Sequence, residues 1–500
     1  MGSAVPTLLR RYPGWLALAM GAAMPLAFAP FGVWWLSPLL LAGLFLLWDG
    51  ATPRAAARLG LAFGFGHFLA GTYWIYISIH VFGEAPLLLA VVLMLLVVLI
   101  MAGYFAVLGW FSARVAPTAG PGRWLLVLPA AWVLVEWLRG WLFTGFAWLA
   151  LGYAQSDSWL AGFAPVFGVY GASLAVALSA GALCCLAAGR GVTSRLAGGV
   201  VLLLVWGLAA VLDRVSWTEP QSTGLDVALI QGNVSQDLKW DPEQFAATLE
   251  LYETLTVEAL GHDLVVWPEA AIPALAHEVA GYLEHIRSLA EASGSAVMLG
   301  ILRYDFRDRR YENTLLALGE TPQFYVKRHL VPFGEYFPVP AWLRNWLRLL
   351  SLPYTDISAG AEGQRPLRLA GQVFAPSICY EALFGASQLV FQPEATLLVN
   401  VSNDAWFGDS IAPHQHLQIA RLRSLDTGRW MLRATNTGIS ALIDPAGRVV
   451  QRSPQFETYV LSGRVVGHEG ATPYVTLGNR AILLLAGILL LAGGIATRRG

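Results

Sequence analysis

Ala375-Pro376-Ser377-Ile378-Cys379-Tyr380-Glu381 is a short apolar run that ends on a thiol, and it is one of three runs of this kind in the same part of the chain. Asp263-Leu264-Val265-Val266-Trp267-Pro268-Glu269 ends on a carboxylate, and Phe324-Tyr325-Val326-Lys327-Arg328-His329 ends on cations. Short apolar runs bounded by Gly, Pro, Asp and Asn read as strands. More of them follow at Leu225 to Gln231, Ala296 to Ile301, Asn313 to Leu318, Thr396 to Ser402, Gly438 to Ile443 and Val449 to Gln451. Between them, Pro242 to Gly261 and His277 to Ser293 carry apolar residues three or four apart and read as helices. Strands alternating with helices predict a layered α/β fold, in which active sites collect at strand ends.

The three strand ends carry complementary chemistry. A thiol near neutral pH is mostly protonated and needs a base or a positive field to become the attacking thiolate. Glu269 offers the base, and Lys327 offers a field that also suits the oxyanion of a tetrahedral intermediate. Cys379 is then the nucleophile, and the backbone N–H that follows it is a second oxyanion donor if the residue sits on a sharp strand-to-helix turn. Taken singly, a Cys after a strand is a small buried hydrophobe and a lone Glu or Lys is a surface charge. The ordered set of three is what points to catalysis.

Working outward from this stretch, the chain turns strongly apolar. Of its 500 residues 56% are hydrophobic and 13% charged, which predicts a membrane protein. Stretches suited to crossing a bilayer lie near 13–30, 33–48, 59–79, 86–112, 124–143, 164–188, 196–213 and 481–497, about eight spans. The fold class predicted is therefore a polytopic α-helical membrane domain joined to an α/β domain, with spans 1–7 in residues 1–213, the α/β domain in 214–478 and span 8 in 479–500. Arg10, Arg11, Arg54, Arg58, Arg114, Arg123, Arg190, Arg195, Arg498 and Arg499 fall on one side of this arrangement, and Arg139 alone among the short loops falls on the other. The positive-inside rule then places both termini in the cytoplasm and the α/β domain outside it. Ala27-Phe28-Ala29 imitates a signal-peptide cleavage site, but Pro30 directly after it makes a poor protease substrate.

Other classes are excluded or open. The formal net charge of −1 and the lack of a long basic stretch exclude a nucleic-acid partner. The three cysteines, two of them adjacent at Cys184 and Cys185, form neither a disulfide framework nor a metal-ligand pattern, so no metal and no cofactor is predicted. From Ala341 to Leu350, Trp342, Leu343, Trp346 and Leu347 share one helical arc and Arg344, Asn345 and Arg348 the other, which fits a lipid-facing arm over the site or a helix packed on the domain's own core.

Over about 225–468 the ordered Glu, Lys, Cys set resembles the nitrilase or carbon-nitrogen hydrolase superfamily. Further motifs narrow the likeness: Glu136-Trp137-Leu138-Arg139-Gly140, Phe146-Ala147-Trp148-Leu149, Leu151-Gly152-Tyr153, Pro332-Phe333-Gly334-Glu335-Tyr336-Phe337-Pro338 and Asn403-Asp404-Ala405-Trp406-Phe407-Gly408 are similar to those of the apolipoprotein N-acyltransferase family, with Ala147 standing where proline is expected. The resemblance implies a nitrilase-like α-β-β-α sandwich in the bacterial inner membrane protein. It also implies transfer of a fatty acyl chain from a membrane phospholipid, through a thioester on Cys379, to the α-amine of the diacylglyceryl-cysteine of an apolipoprotein. It carries supporting roles to Trp240, Glu335, Tyr380 and Glu381. On their residues alone, Trp240 also reads as a plug against the bilayer, Glu381 as a helix-dipole partner and Asn403 and Asp404 as turn formers. Two rivals stand beside this reading: a membrane-tethered amidase that hydrolyses a small C–N substrate with the same three residues, and a non-catalytic membrane scaffold.

Overall fold

The computed structural model describes residues 12–336 and 357–499, so the segment 341–350 with Trp342, Leu343, Trp346 and Leu347 lies outside the described residues. The chain divides into two units: a helical one made of Met1–Ser216, Asp409–Leu422 and Thr472–Gly500, and an α/β one made of Trp217–Gly408 and Arg423–Ala471.

Each of the eight apolar stretches holds a helix. Among the described residues, four helices are long and apolar enough to cross a membrane by length and composition: Leu87–Val115, Val169–Ala188, Val192–Leu212 and Arg480–Thr497. Pro13–Ala23 and Leu36–Leu47 are apolar but shorter, Pro53–Gly71 is interrupted by Arg54, Arg58 and His67, and Leu128–Arg139 is preceded by a wider turn at Arg123–Val127. Small residues let these helices touch. A Cβ on Gly60 would lie 2.1 Å from the Phe105 carbonyl oxygen, and one on Gly66 would lie 2.3 Å from that of Leu18. Such contacts bring the helix backbones into close packing. The motifs between 136 and 153 form one buried knot. Glu136 accepts from the Trp132 indole (2.8 Å) and the Leu151 amide (2.9 Å), and Arg139 donates to the carbonyls of Phe146 and Trp148.

The α/β unit is built on two sheets. The first runs in the order β13-β1-β2-β4-β5-β6, with β3 beside β4: β1 (Thr218–Gln231), β2 (Leu264–Val266), β3 (Ile272–Leu275), β4 (Ala296–Asp305), β5 (Arg310–Leu318), β6 (Gln323–Val326) and β13 (Tyr459–Gly470). The second runs β12-β11-β10-β9-β8-β7: β7 (Leu367–Leu369), β8 (Gln372–Ile378), β9 (Leu397–Ser402), β10 (Met431–Thr435), β11 (Ala441–Ile443) and β12 (Val449–Arg452). The sheets meet face to face through β1 with β10 and β5 with β8. Helices Phe245–Glu258 and Ala280–Ala292 cover the first sheet, where Tyr252, Leu255, Leu283 and Ile286 bury against Val265, Trp267, Val297 and Leu316. Pairs β1–β2, β2–β4, β8–β9 and β9–β10 are parallel. Parallel strands point their carboxyl ends the same way, so β2 and β4 end at one edge of the first sheet and β8 and β9 at one edge of the second.

Candidate active site

Each residue singled out from the strand ends is held by its own local geometry. Cys379 directly follows β8 at φ +50°, a left-handed backbone that a residue with a side chain enters only under strain, and it opens the 3₁₀ turn Cys379–Leu383. Glu269 lies just past β2, where the Trp267 amide still donates to the Met298 carbonyl at 2.8 Å. Gly300 on β4 makes room for it, because a Cβ there would stand 2.6 Å from the Glu269 Cα. Lys327 leaves β6 with its amide on the Asn313 carbonyl (2.8 Å) and its carbonyl on the Gly360 amide (2.9 Å).

Buried side chains join there. Lys327 Nζ lies 3.0 Å from Glu269 Oε1 and 2.9 Å from Glu335 Oε1, so one ammonium bridges two carboxylates. Asn313 Nδ2 reaches the same two oxygens at 2.7 and 3.0 Å. The other Glu269 oxygen accepts from the Asn403 amide at 2.9 Å, and the other Glu335 oxygen accepts from the Val331 amide at 2.7 Å. Both carboxylates are thus fixed at each oxygen.

Burial first, and then the Glu269 and Asp404 charges, push the Cys379 thiol well up, while Lys327 and a hydrogen bond with Ser402 pull it down. The thiol is therefore protonated at rest. Burial works to lower Lys327, but Glu269, Glu335 and Cys379 outweigh it and hold the ammonium well above its ordinary range. Lys239, also buried, is pushed down to about 8 by burial, with Glu269 opposing. Among the described residues no cluster of His, Cys, Asp and Glu is placed to hold a metal ion.

The supporting residues occupy different places. Glu381 is fully engaged in shaping the site: Oε1 accepts from the Tyr325 hydroxyl (2.7 Å) and the Arg328 (2.8 Å) and His329 (3.2 Å) amides, and Oε2 accepts from the Ile378 amide (2.8 Å). It ties the segment after Lys327 to the residue before Cys379. Burial raises its carboxyl, and these donors work against the rise. Tyr380 is buried, its ring 5.2 Å from that of Phe384. Trp240 is 52% exposed at the end of the short helix Gln236–Lys239.

Several contributors carry no sequence signal as strand-end chemistry. Asn313 sits inside β5, where an amide in an apolar run was the available clue. Asn403 supplies its main chain to Glu269, a role no side chain announces. Asp404 begins a turn but is wholly buried: it accepts from Ser402 Oγ at 2.7 Å and from Arg433 Nη2 at 2.9 Å.

Two family models match the sequence. The apolipoprotein N-acyltransferase N-terminal domain covers residues 20–182, and the carbon-nitrogen hydrolase domain covers residues 226–472. A relative from Methylococcus capsulatus named apolipoprotein N-acyltransferase is 44% identical over 478 residues, 95% of this chain and 94% of its own. Another of that name from Nitrosomonas europaea is 44% identical over 492 residues, 97% of each chain. Among solved structures, an amidase from Nesterenkonia sp. aligns at 17% identity and a TM-score of 0.36 over 53% of this chain and 96% of its own.

Proposed function

This chain belongs to the apolipoprotein N-acyltransferase family, and from that premise we propose that Cys379 carries an acyl group from a phospholipid to the N-terminal amine of a diacylated apolipoprotein. Glu269 removes the Cys379 proton as Sγ attacks the ester carbonyl of the phospholipid. The oxyanion is met by Lys327 and the Tyr380 amide. The tetrahedral intermediate collapses with loss of the lysophospholipid alkoxide, which takes the proton back from Glu269 and leaves a thioester. The α-amine then attacks the thioester, Glu269 accepts its proton, and the Cys379 thiolate leaves and is reprotonated. The product is an amide, and the enzyme ends as it began.

The observation that carries this reading is the fixed carboxylate. Glu269 is held at both oxygens, one of them on Lys327, and its charge acts on a thiol that burial keeps protonated. A thiol in that state needs a base in the transition state, and preorganised donors lower the barrier without moving. Lys327 has three N–H bonds, and its two ion pairs leave a third for the oxyanion. Glu335 orients Lys327, Glu381 braces both strand ends, and Trp240 is a surface for an acyl chain.

The reading extends to the membrane: about eight spans, both termini cytoplasmic and the catalytic unit, residues 214–478, on the far side of a bacterial inner membrane. Both substrates are lipid-anchored and would arrive there by lateral diffusion, with the segment 341–350 as a lipid-facing arm.

The test is mass spectrometry of the full-length protein after incubation with phospholipid vesicles, wild type beside Cys379→Ala, followed by a diacylated lipopeptide. An acyl mass on the Cys379 peptide that moves to the lipopeptide amine is expected. Absence of the adduct, together with hydrolysis of small amides, makes the chain a tethered amidase and overturns the proposal.

A further inference from the structure

The segment Ser235-Gln236-Asp237-Leu238-Lys239-Trp240 inverts the usual pattern of burial. Leu238 is 50% exposed and Trp240 52%, while the lysine between them is 2% exposed. Burying a cation while apolar neighbours face outward runs against the hydrophobic effect, so the arrangement calls for a reason other than stability. The lysine's surroundings supply one. Lys239 Nζ donates to the main-chain carbonyl of Glu269 at 3.5 Å, a long contact for a charged group. The same short helix reaches Glu269 by a second path: Asn403 Nδ2 donates to Gln236 Oε1 at 2.8 Å, and the Asn403 amide holds Glu269 Oε2. Asn436 closes the frame, donating to the Val234 carbonyl (2.7 Å) and to Asn403 Oδ1 (3.1 Å). The residue after Glu269, Ala270, has φ +44°, so the turn that aims Glu269 is itself a strained one that outside contacts must hold.

We propose that Lys239 is a positioning residue for the reaction, fixing the main chain of Glu269 and adding positive charge beside the carboxylate that serves as base. This rests on the reading of Glu269 as the base. Lys239 thereby acts through the main chain of Glu269 and is distinct from Lys327, which bonds the carboxylate itself. Glu269 is the titratable group whose charge acts on Lys239, and the near-neutral titration set by burial makes the contribution sensitive to mild alkali.

The experiment uses full-length protein in detergent micelles, with phospholipid added for the transfer assay only, and the variants Lys239→Met and Lys239→Arg. Three quantities are read: the rate at which iodoacetamide alkylates Cys379 without lipid, kcat and KM for acyl transfer to a diacylated lipopeptide, and the melting temperature. Lys239→Met should alkylate and transfer about tenfold more slowly, the equivalent of roughly one pKa unit, with KM and melting temperature near those of the wild type. Lys239→Arg, which keeps the charge, should recover most of the loss and extend transfer to higher pH. Wild-type rates in Lys239→Met overturn the proposal, as does an equal fall in both variants that tracks a lower melting temperature. If Lys239→Met does not fold, Lys239→Gln takes its place with the same expectations. A wild-type protein that takes no acyl group from phospholipid defeats the acyl-transfer reading alone, because alkylation still reports on Lys239.

Discussion

At the scale of single residues, the charges around Cys379 set up a test that separates base from bystander. The Glu269 carboxylate pushes the thiol up, second only to burial. In Glu269→Gln that repulsion is gone while Lys327 remains, so the thiolate should form at lower pH and the midpoint for iodoacetamide alkylation should fall. Acyl transfer should nevertheless drop by about 10²–10⁴-fold, the usual contribution of a general base. A variant that alkylates less readily and transfers normally would remove Glu269 from the mechanism. Sign and size follow from two different properties of one carboxylate, its charge and its basicity. The three ionisable residues could be read from the chain because each ends an apolar run. Asn403 could not, because its contribution is a backbone N–H whose position depends on the path of the chain after β9.

At the scale of elements, strands with apolar residues on consecutive positions were visible, and those filled by buried polar networks were not. Strand β10 carries Arg433 and Thr435 within a short run and is not singled out as a strand by its sequence, yet Arg433 is wholly buried through Asp404 and Asn400. Strand β13 and the first half of β1 are polar and glycine-bearing, and pairing with each other makes them strands: Thr218 lies opposite Gly470 and Leu225 opposite Val465. Such partners are far apart in sequence, and only the fold brings them together. The turn between β2 and β3 gives an element-scale prediction. Gly300→Ala would drive a methyl group against the Pro268 carbonyl and the Glu269 Cα. Moving Glu269 by about 1 Å should cost about 100-fold in kcat, while overpacking lowers stability by about 1–3 kcal/mol. Thermal melting and transfer kinetics on the same preparation check both, and unchanged kcat would mean that the Glu269 position is not critical.

At the scale of the whole molecule, composition turns from apolar to mixed near residue 214, and the first segment of the helical unit runs to Ser216. The return of Asp409–Leu422 to that unit was hidden, since its helix, Ala412–Thr427, interleaves His, Gln and Arg with its apolar residues and does not look like a membrane span. The alternating arginines predict an orientation that can be measured. A single cysteine placed at Asp444 should react with a membrane-impermeant thiol reagent in intact spheroplasts, and one placed at Arg190 should react only after lysis. The reverse pattern would invert the topology. Lys327, bridging Glu269 and Glu335, bears on the same molecule in another way. The two carboxylates and one ammonium of this bridge leave one negative charge, and in the proposed reaction that total survives every step: when Sγ gives its proton to Glu269 the charge passes to the oxyanion, and when the alcohol departs it returns to the carboxylate. An enclosed site that never gains or loses net charge has no ion to draw from water or return to it, so turnover should be nearly indifferent to ionic strength.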